Sequence, residues 1–306
     1  MMVAYILRRL LQTVLVILGV SALSFGSMFL SGDPTMVMAS ESWTRQQIDD
    51  FRHQMGFDRP WFVQYLDFLS RAAHGDFGVS LRQQQPVSQL LLQRVPATLE
   101  LAAAAMIVAV GVGIPAGVVA ATRRNSPVDR SLMLGALLGQ SMPVFWLGLL
   151  LAMIFAVMLG WFPVAGRGGW EHLVLPATSL GLFSVAYNAR MTRSAVLETL
   201  GQDYIRTAQA KGLSSVRVLT RHALRNALIP IVTVAGLQFG NLLGGAVITE
   251  TIFAWPGVGR LTIQAIQGKD LPLVQASVTF LATIFVVLNL IIDLLYVVLD
   301  PRVRPR

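Results

Sequence analysis

Six runs of mostly apolar residues constrain this chain of 306 residues more than any other feature of it. An α-helix rises about 1.5 Å per residue and the hydrocarbon core of a bilayer is about 30 Å thick, so about twenty apolar residues make one crossing. The runs are Leu10 to Leu30, Leu99 to Ala121, Leu132 to Leu159, Leu173 to Ala189, Ala227 to Ile252 and Leu273 to Leu299. The fourth is shorter and more polar than the others. Charged residues make up only 13% of the chain, against roughly 25% in soluble domains. The expected fold is therefore an all-α integral membrane protein with six transmembrane helices, built as a single domain over residues 1–306. Arg8 and Arg9 before the first run give it the look of a signal peptide. Its length exceeds the about 7–15 residues of a signal h-region and no clear cleavage site follows, so an uncleaved spanning helix is expected.

Charge placement orients these spans. With the N-terminus in the cytoplasm, six crossings return the C-terminus there. The cytoplasmic segments then hold 15 Lys and Arg against four acids, and the external segments nine of each. That is the positive-inside pattern. The net charge of +8 is thus a topology signal and does not call for nucleic acid. Two connections are too long to be plain links. Residues 31–98, outside, are rich in aromatics; the turn signals Asp58-Arg59-Pro60 and His74-Gly75-Asp76-Phe77-Gly78 set off short amphipathic helices. Residues 190–226, inside, are basic.

No nucleotide-binding P-loop is present, since Gly268-Lys269 is followed by Asp270. There is no H-E-x-x-H and no G-x-S-x-G. His53, His74, His172 and His222 have no ligand spacing, and the chain has no cysteine, so no metal site and no catalytic residues are expected. Asp293 on the last run and Glu250 at the outer end of the fifth have no evident partners, which argues against a carrier driven by its own ion gradient. What remains is a membrane pathway without an energy source of its own.

The inner connection contains YIRTAQAKGLSSVRVLTRHALRNALIP, residues 204–230. Asp203 is placed to cap a short helix, Tyr204 to Lys211. Gly212 fits the left-handed position that ends it, and Ser214 or Ser215 opens a second helix that enters the fifth span. Thr207, Ala208 and Gly212 give the short helix a face of small residues that a partner could approach closely. Read from the residues alone, this is either a docking element or an ordinary basic loop with caps.

The stretch resembles the EAA loop of ABC-transporter permeases, in the variant of the dipeptide/oligopeptide/nickel subgroup. Gly212, Ala208 and Leu224 match the family pattern. Arg206 and Thr207 stand where it has Glu and the first Ala, His222 replaces Ile, and the proline comes late, at Pro230. Tyr5 to Leu10, Gly32-Asp33-Pro34, Asp58 to Pro60, Gln64-Tyr65, Gly75 to Gly78, Arg94 to Leu101 and Glu250 to Leu261 resemble the first of the paired permeases, in order along nearly the whole chain. The resemblance implies a type I importer fold in the bacterial inner membrane. It implies a heterodimer with a second permease, two cytoplasmic ATPase subunits that carry ATP and Mg, and an external substrate-binding protein. Asp203, Tyr204, Arg206, Thr207, Ala208, Ala210, Lys211 and Gly212 would form the coupling helix seated on an ATPase. Di- and oligopeptides are the implied substrates, with nickel or glutathione as alternatives. An ion-coupled carrier working alone, or an anchor subunit that moves nothing, are the readings from other classes.

Polar and irregular positions inside the spans are pathway candidates: Ser141 and Pro143, where a kink is expected, Tyr187, Asn188, Gln238, Asn241 and Glu250. Tyr187, Asn188, Gln238 and Asn241 either line the pathway or hydrogen-bond between helices. Gly111, Gly113 and Gly117 either hinge the second span or pack it closely. Trp255 to Gly259 is expected at the external mouth, and Trp161 and Trp170 in an interfacial belt.

Overall fold

The structure, a computed structural model, describes residues 2–30, 33–39 and 43–299. Asp300, Arg302, Arg304 and Arg306, counted above in the cytoplasmic charge, lie outside the described residues, as does the side chain of Asp293. Helix α1 is Met2–Leu30. Three short helices follow, α2 (Pro34–Met38), α3 (Arg45–Met55) and α4 (Trp61–Ala73). Next come α5 (Val87–Thr122), α6 (Pro127–Ser141) and α7 (Val144–Leu151), which continues as a π-helical stretch to Met158. Helix α8 is Glu171–Leu200, α9 is Asp203–Ala210, and α10 (Ser215–Arg217) leads through a π-helical turn, Val218–Ala223, into α11 (Leu224–Ile252). Helices α12 (Val258–Gln267) and α13 (Leu271–Leu299) end the described chain. An isolated bridge between Val79 and Pro86 is the one extended pairing among the described residues.

Among the described residues, four helices are long and apolar enough to cross a membrane, or five if α6 and the α7 segment together count as one span. The expected fourth span lies within α8. At 30 residues that helix is about 45 Å long, but Ser179, Ser184, Asn188 and Thr192 make it too polar for a lipid-facing span. These four side chains are buried instead. The run expected as the third span is interrupted: α6 and α7 meet at 107° across Met142 and Pro143. The chain breaks there and does not merely kink. A residue before proline is pushed out of the helical region, and Met142 is extended, at φ −81° and ψ 130°.

Two compact units divide the chain. Among the described residues, the first comprises those up to 98 together with 256–290, and the second 99–255 and 291–299. In the first, Phe25 and Met28 of α1 bury against Phe68 of α4, with Phe57 and Tyr65 beside them. The Tyr65 hydroxyl donates to the Leu18 carbonyl at 3.0 Å. A second core joins Val87, Leu90 and Leu91 of α5 to Val258, Leu261 and Ala265 of α12 and Leu273 of α13. Buried Asp270 fastens it, accepting from Ser80 Oγ at 2.5 Å, from the Arg82 amide at 3.2 Å and from the Leu273 amide at 3.3 Å. The described residues between α1 and α5 thus form short helices separated by turns. Thr44 and Gln47 form a reciprocal capping box on α3.

In the second unit α8 packs against α6, α7 and α11. It also meets α5 through glycine. A Cβ on Gly113 would sit 2.8 Å from the Val185 carbonyl oxygen, and one on Gly117 would strike the Ala189 carbonyl oxygen and stand 2.6 Å from Thr192 Cβ. These two glycines therefore pack helices, while a Cβ at Gly111 meets open space.

Candidate functional site

Only Gly201 and Gln202 separate α8 from α9, so the short helix hangs directly on the end of a long one. The capping expectation is corrected. Gln202 occupies the N-cap, no side chain bonds there, and Asp203 is the first helical residue. Its carboxylate lies in the first turn, where a negative charge favours the helix dipole. At the far end the expectation holds: Gly212 has φ +79°. The Gly212 amide donates to the Gln209 carbonyl at 2.9 Å and the Leu213 amide to the Ala208 carbonyl at 3.4 Å. This pair of bonds is a Schellman motif, which needs the left-handed residue that glycine supplies.

Past Gly212 the chain reverses. Ser214 takes the N-cap position of α10, without a side-chain bond. Ile205 and Ala208 bury against Val218 and Ala223, with Leu200, Leu213 and Leu219 closing the edge. The Asn226 amide donates to the Tyr204 hydroxyl at 2.8 Å. Helix α9 is thereby pinned to the π-helical turn by an apolar seam and to the beginning of α11 by one polar clasp. Ala208 was expected on an outward face of small residues and instead faces inward, 6% exposed. The i, i+3 spacing of Ile205 and Ala208 carried that signal. Asp203, Tyr204, Arg206, Thr207, Ala210, Lys211 and Gly212 are exposed. The face they form is polar and carries both signs of charge; the Arg206–Asp203 pair, at 3.6 Å, is fully solvated and contributes little.

One arrangement near this hairpin escaped the sequence reading. Arg193 of α8 grips Asp129 of α6 with two parallel bonds, Nε to Oδ1 at 2.6 Å and Nη2 to Oδ2 at 2.8 Å. The Asn125 amide adds a third at 2.9 Å. Asn125 itself has φ +62°, a left-handed conformation that Asn tolerates. Asp129 is 2% exposed. The Arg193 hydrogen bonds hold its carboxyl down at about 2 against the opposing effect of burial, helped by the Asn125 amide. The same bonds raise Arg193 above its ordinary value. A lone Asp and a lone Arg sixty-four residues apart offer no pattern to read.

The pathway candidates do not form one cluster. Asn188 and Gln238 come together: Gln238 Nε2 reaches Asn188 Oδ1 at 3.4 Å, and Asn188 Nδ2 reaches the Ala109 carbonyl at 3.4 Å. Both side chains are buried, so they bond between helices. Tyr187 and Asn241 are exposed. Ser141, also exposed, donates back to the Leu137 carbonyl at 2.8 Å, and Pro143 begins α7 at the break. Glu250 is fully buried near the end of α11, and its carbonyl accepts from the amide of equally buried Trp255 at 2.8 Å. Arg167 lies over the Trp255 ring at 5.9 Å and pairs with Glu100.

The described residues thus form a multi-pass helical membrane body with a short helix folded back on its basic loop. Residues 113–305 match the family described as binding-protein-dependent transport system inner membrane component, and residues 2–102 match the N-terminal component of such systems. The chain belongs to this family of transport permeases. It is 44% identical over 333 residues to the di/tripeptide transport system permease protein DppB of Pseudomonas aeruginosa, covering 99% of both chains. To the dipeptide transport system permease protein DppB of Escherichia coli K12 it is 43% identical over 340 residues, again covering 99% of both. A subunit of the inward-facing MetNI methionine ABC transporter superposes with a TM-score of 0.60 at 20% identity. That match covers 69% of this chain and 97% of the transporter chain, and it supports the fold alone.

Proposed function

We propose that this chain is one of two permeases that together enclose a pathway for di- and oligopeptides in an importer fed by an external binding protein. Two cytoplasmic ATPase subunits, which bind ATP and Mg, supply the energy. In this arrangement the six spans place both termini and residues 190–226 in the cytoplasm and residues 31–98 outside. The relatives named for di- and tripeptide transport support the substrate class.

The observation that carries the coupling role is the pinning of α9. The helix is joined to α8 by two residues, packs its Ile205 and Ala208 seam on the π-helical turn that leads into α11, and reaches α11 itself through Tyr204 and Asn226, so a partner that displaces its exposed face displaces both long helices. ATP has unequal affinity for the open and closed ATPase pair, and this difference biases the pathway between its inward- and outward-facing states. Asp203, Tyr204, Arg206, Thr207, Ala210, Lys211 and Gly212 form the docking face, and Ala208 supports it from within.

Because the chain has no cysteine, a single thiol at exposed Thr207 or Lys211 tests this. A photocrosslinker placed there in native membranes is expected to capture an ATP-binding subunit. Capture of lipid alone, with the chain folded and abundant, would remove the coupling role.

A further inference from the structure

A cavity of about 560 Å³ lies wholly within the first unit, bounded by α1, α3, α4, the turn after α4 and the start of α13. Small-molecule sites commonly measure about 300–1,000 Å³. All of its lining residues except Pro272 and Gln275 fall within the N-terminal family match, residues 2–102. The MetNI subunit is covered almost whole by 69% of this chain, which leaves roughly a third of the chain without a counterpart there.

Phe25, Phe57, Phe68 and Phe77 give the cavity aromatic walls. Gln275 also lines it and is 9% exposed. Among the described residues its Nε2 has no hydrogen-bond partner. A buried amide donor left unmade is unfavourable, and an acceptor on a bound molecule relieves it. Both signs of charge are present as well. Arg59 lines the cavity without a salt-bridge partner among the described residues, its neighbour Asp58 being engaged by His53 at 2.9 Å. Asp76 accepts from the Gly78 amide at 2.9 Å through one oxygen, Oδ1. Asp67 is paired with Arg71 at 3.0 Å.

A short peptide at neutral pH presents a carboxylate, an ammonium group, a carbonyl acceptor and side chains of varied bulk. We propose that this cavity is a binding site for short zwitterionic peptides, an inference that rests on the peptide reading above. Arg59 takes the carboxylate, for which a guanidinium is suited. Gln275 Nε2 donates to the peptide carbonyl, Asp76 faces the ammonium group, and the aromatic walls receive a side chain.

The test uses the full-length chain in lipid nanodiscs and radiolabelled Ala-Phe in equilibrium dialysis. Saturable binding is expected, weakened about ten-fold by amidating or by acetylating the peptide. Arg59→Ala is expected to weaken binding of the free peptide by about ten-fold while leaving the amidated peptide unchanged, a pattern that loss of folding would not produce. Gln275→Met, similar in shape and without a donor, is expected to weaken both several-fold. Absence of saturable binding up to about 10 mM, or unchanged binding by both variants, would overturn the site. Uptake of the same peptide by cells carrying the whole transport system is measured alongside. Uptake with no binding at the cavity removes only this site, whereas absence of peptide uptake removes the peptide reading itself.

Discussion

Asp129 shows how one residue joins two helices that sequence spacing keeps apart. Its carboxyl is held at about 2, below an ordinary 3.8, by the Arg193 bonds. The stability it contributes is therefore present in full above pH 3.8 and is lost as pH falls toward 2. Thermal melting of the detergent-solubilised chain is expected to weaken across that window. Asp129→Asn should melt lower at neutral pH and show less change between pH 4 and 2, because Arg193 has already lost its anion. Gly117 makes the opposite kind of demand, since it matters for what it lacks. Gly117→Val would push into the Ala189 carbonyl and is expected to destabilise the α5–α8 contact by about 1–3 kcal/mol. Gly111→Val, facing open space, should be tolerated; chemical unfolding of the two variants compares them directly.

At the scale of elements, α9 depends on its seam and its turn. Gly212→Ala imposes a side chain on a left-handed residue and is expected to cost about 1 kcal/mol. Ile205→Ala removes a buried side chain and is expected to cost about 2–4 kcal/mol. Both should loosen the hairpin and lower the ATPase subunits recovered in a pull-down. Lys211→Glu changes only exposed charge. It is expected to leave the melting temperature within a degree or two and still reduce peptide-stimulated ATP hydrolysis by the assembled transporter. An assembly that hydrolyses ATP normally with Lys211→Glu would show that this charge takes no part in coupling.

For the molecule as a whole, long-range apolarity and local turn chemistry were readable, and tertiary partnership was not. The runs around α1, α5, α11 and α13 announced themselves because lipid accepts apolar side chains on every face of a helix. The Gly212 turn was equally plain, since few residues end a helix that way. The run through α6 and α7 hid its break, because hydropathy averages across Met142 and Pro143 without registering the direction of the chain. Helix α8 looked weak as a span because it carries polar residues that are buried in the fold, among them Asn188, which finds partners on α5 and α11, and Ser179, which bonds back to Pro176 of its own helix. Ala208 was misplaced for a related reason: an alanine suits a close outer contact and a close inner one alike, and only Val218 and Ala223 decide between them. Asp129 and Arg193 gave no warning, since a pair made by folding has no spacing.

The π-helical turn at Val218–Ala223 has a consequence for phase. A π turn holds one residue more than an α-helix would need over the same path, and the Leu224 amide reaches back five residues to Leu219. The surplus residue is absorbed within the turn, so the hairpin leaves α11 on nearly the bearing of an unbroken helix. Removing exposed Thr220 would let the segment relax into continuous α-helix over nearly the same path, whereas adding a residue to the α-helical part of the link would turn everything before it by about 100° and push it out by about 1.5 Å. The face that carries Lys211 and Arg206 would then point along the wrong bearing, with every one of its side chains intact. Such an insertion is expected to yield a chain that folds, inserts and keeps its helix content by circular dichroism, yet recovers fewer ATP-binding subunits in a pull-down, while the Thr220 deletion recovers them normally. The turn is slack already taken up: it carries its one spare residue without passing a rotation on to the hairpin.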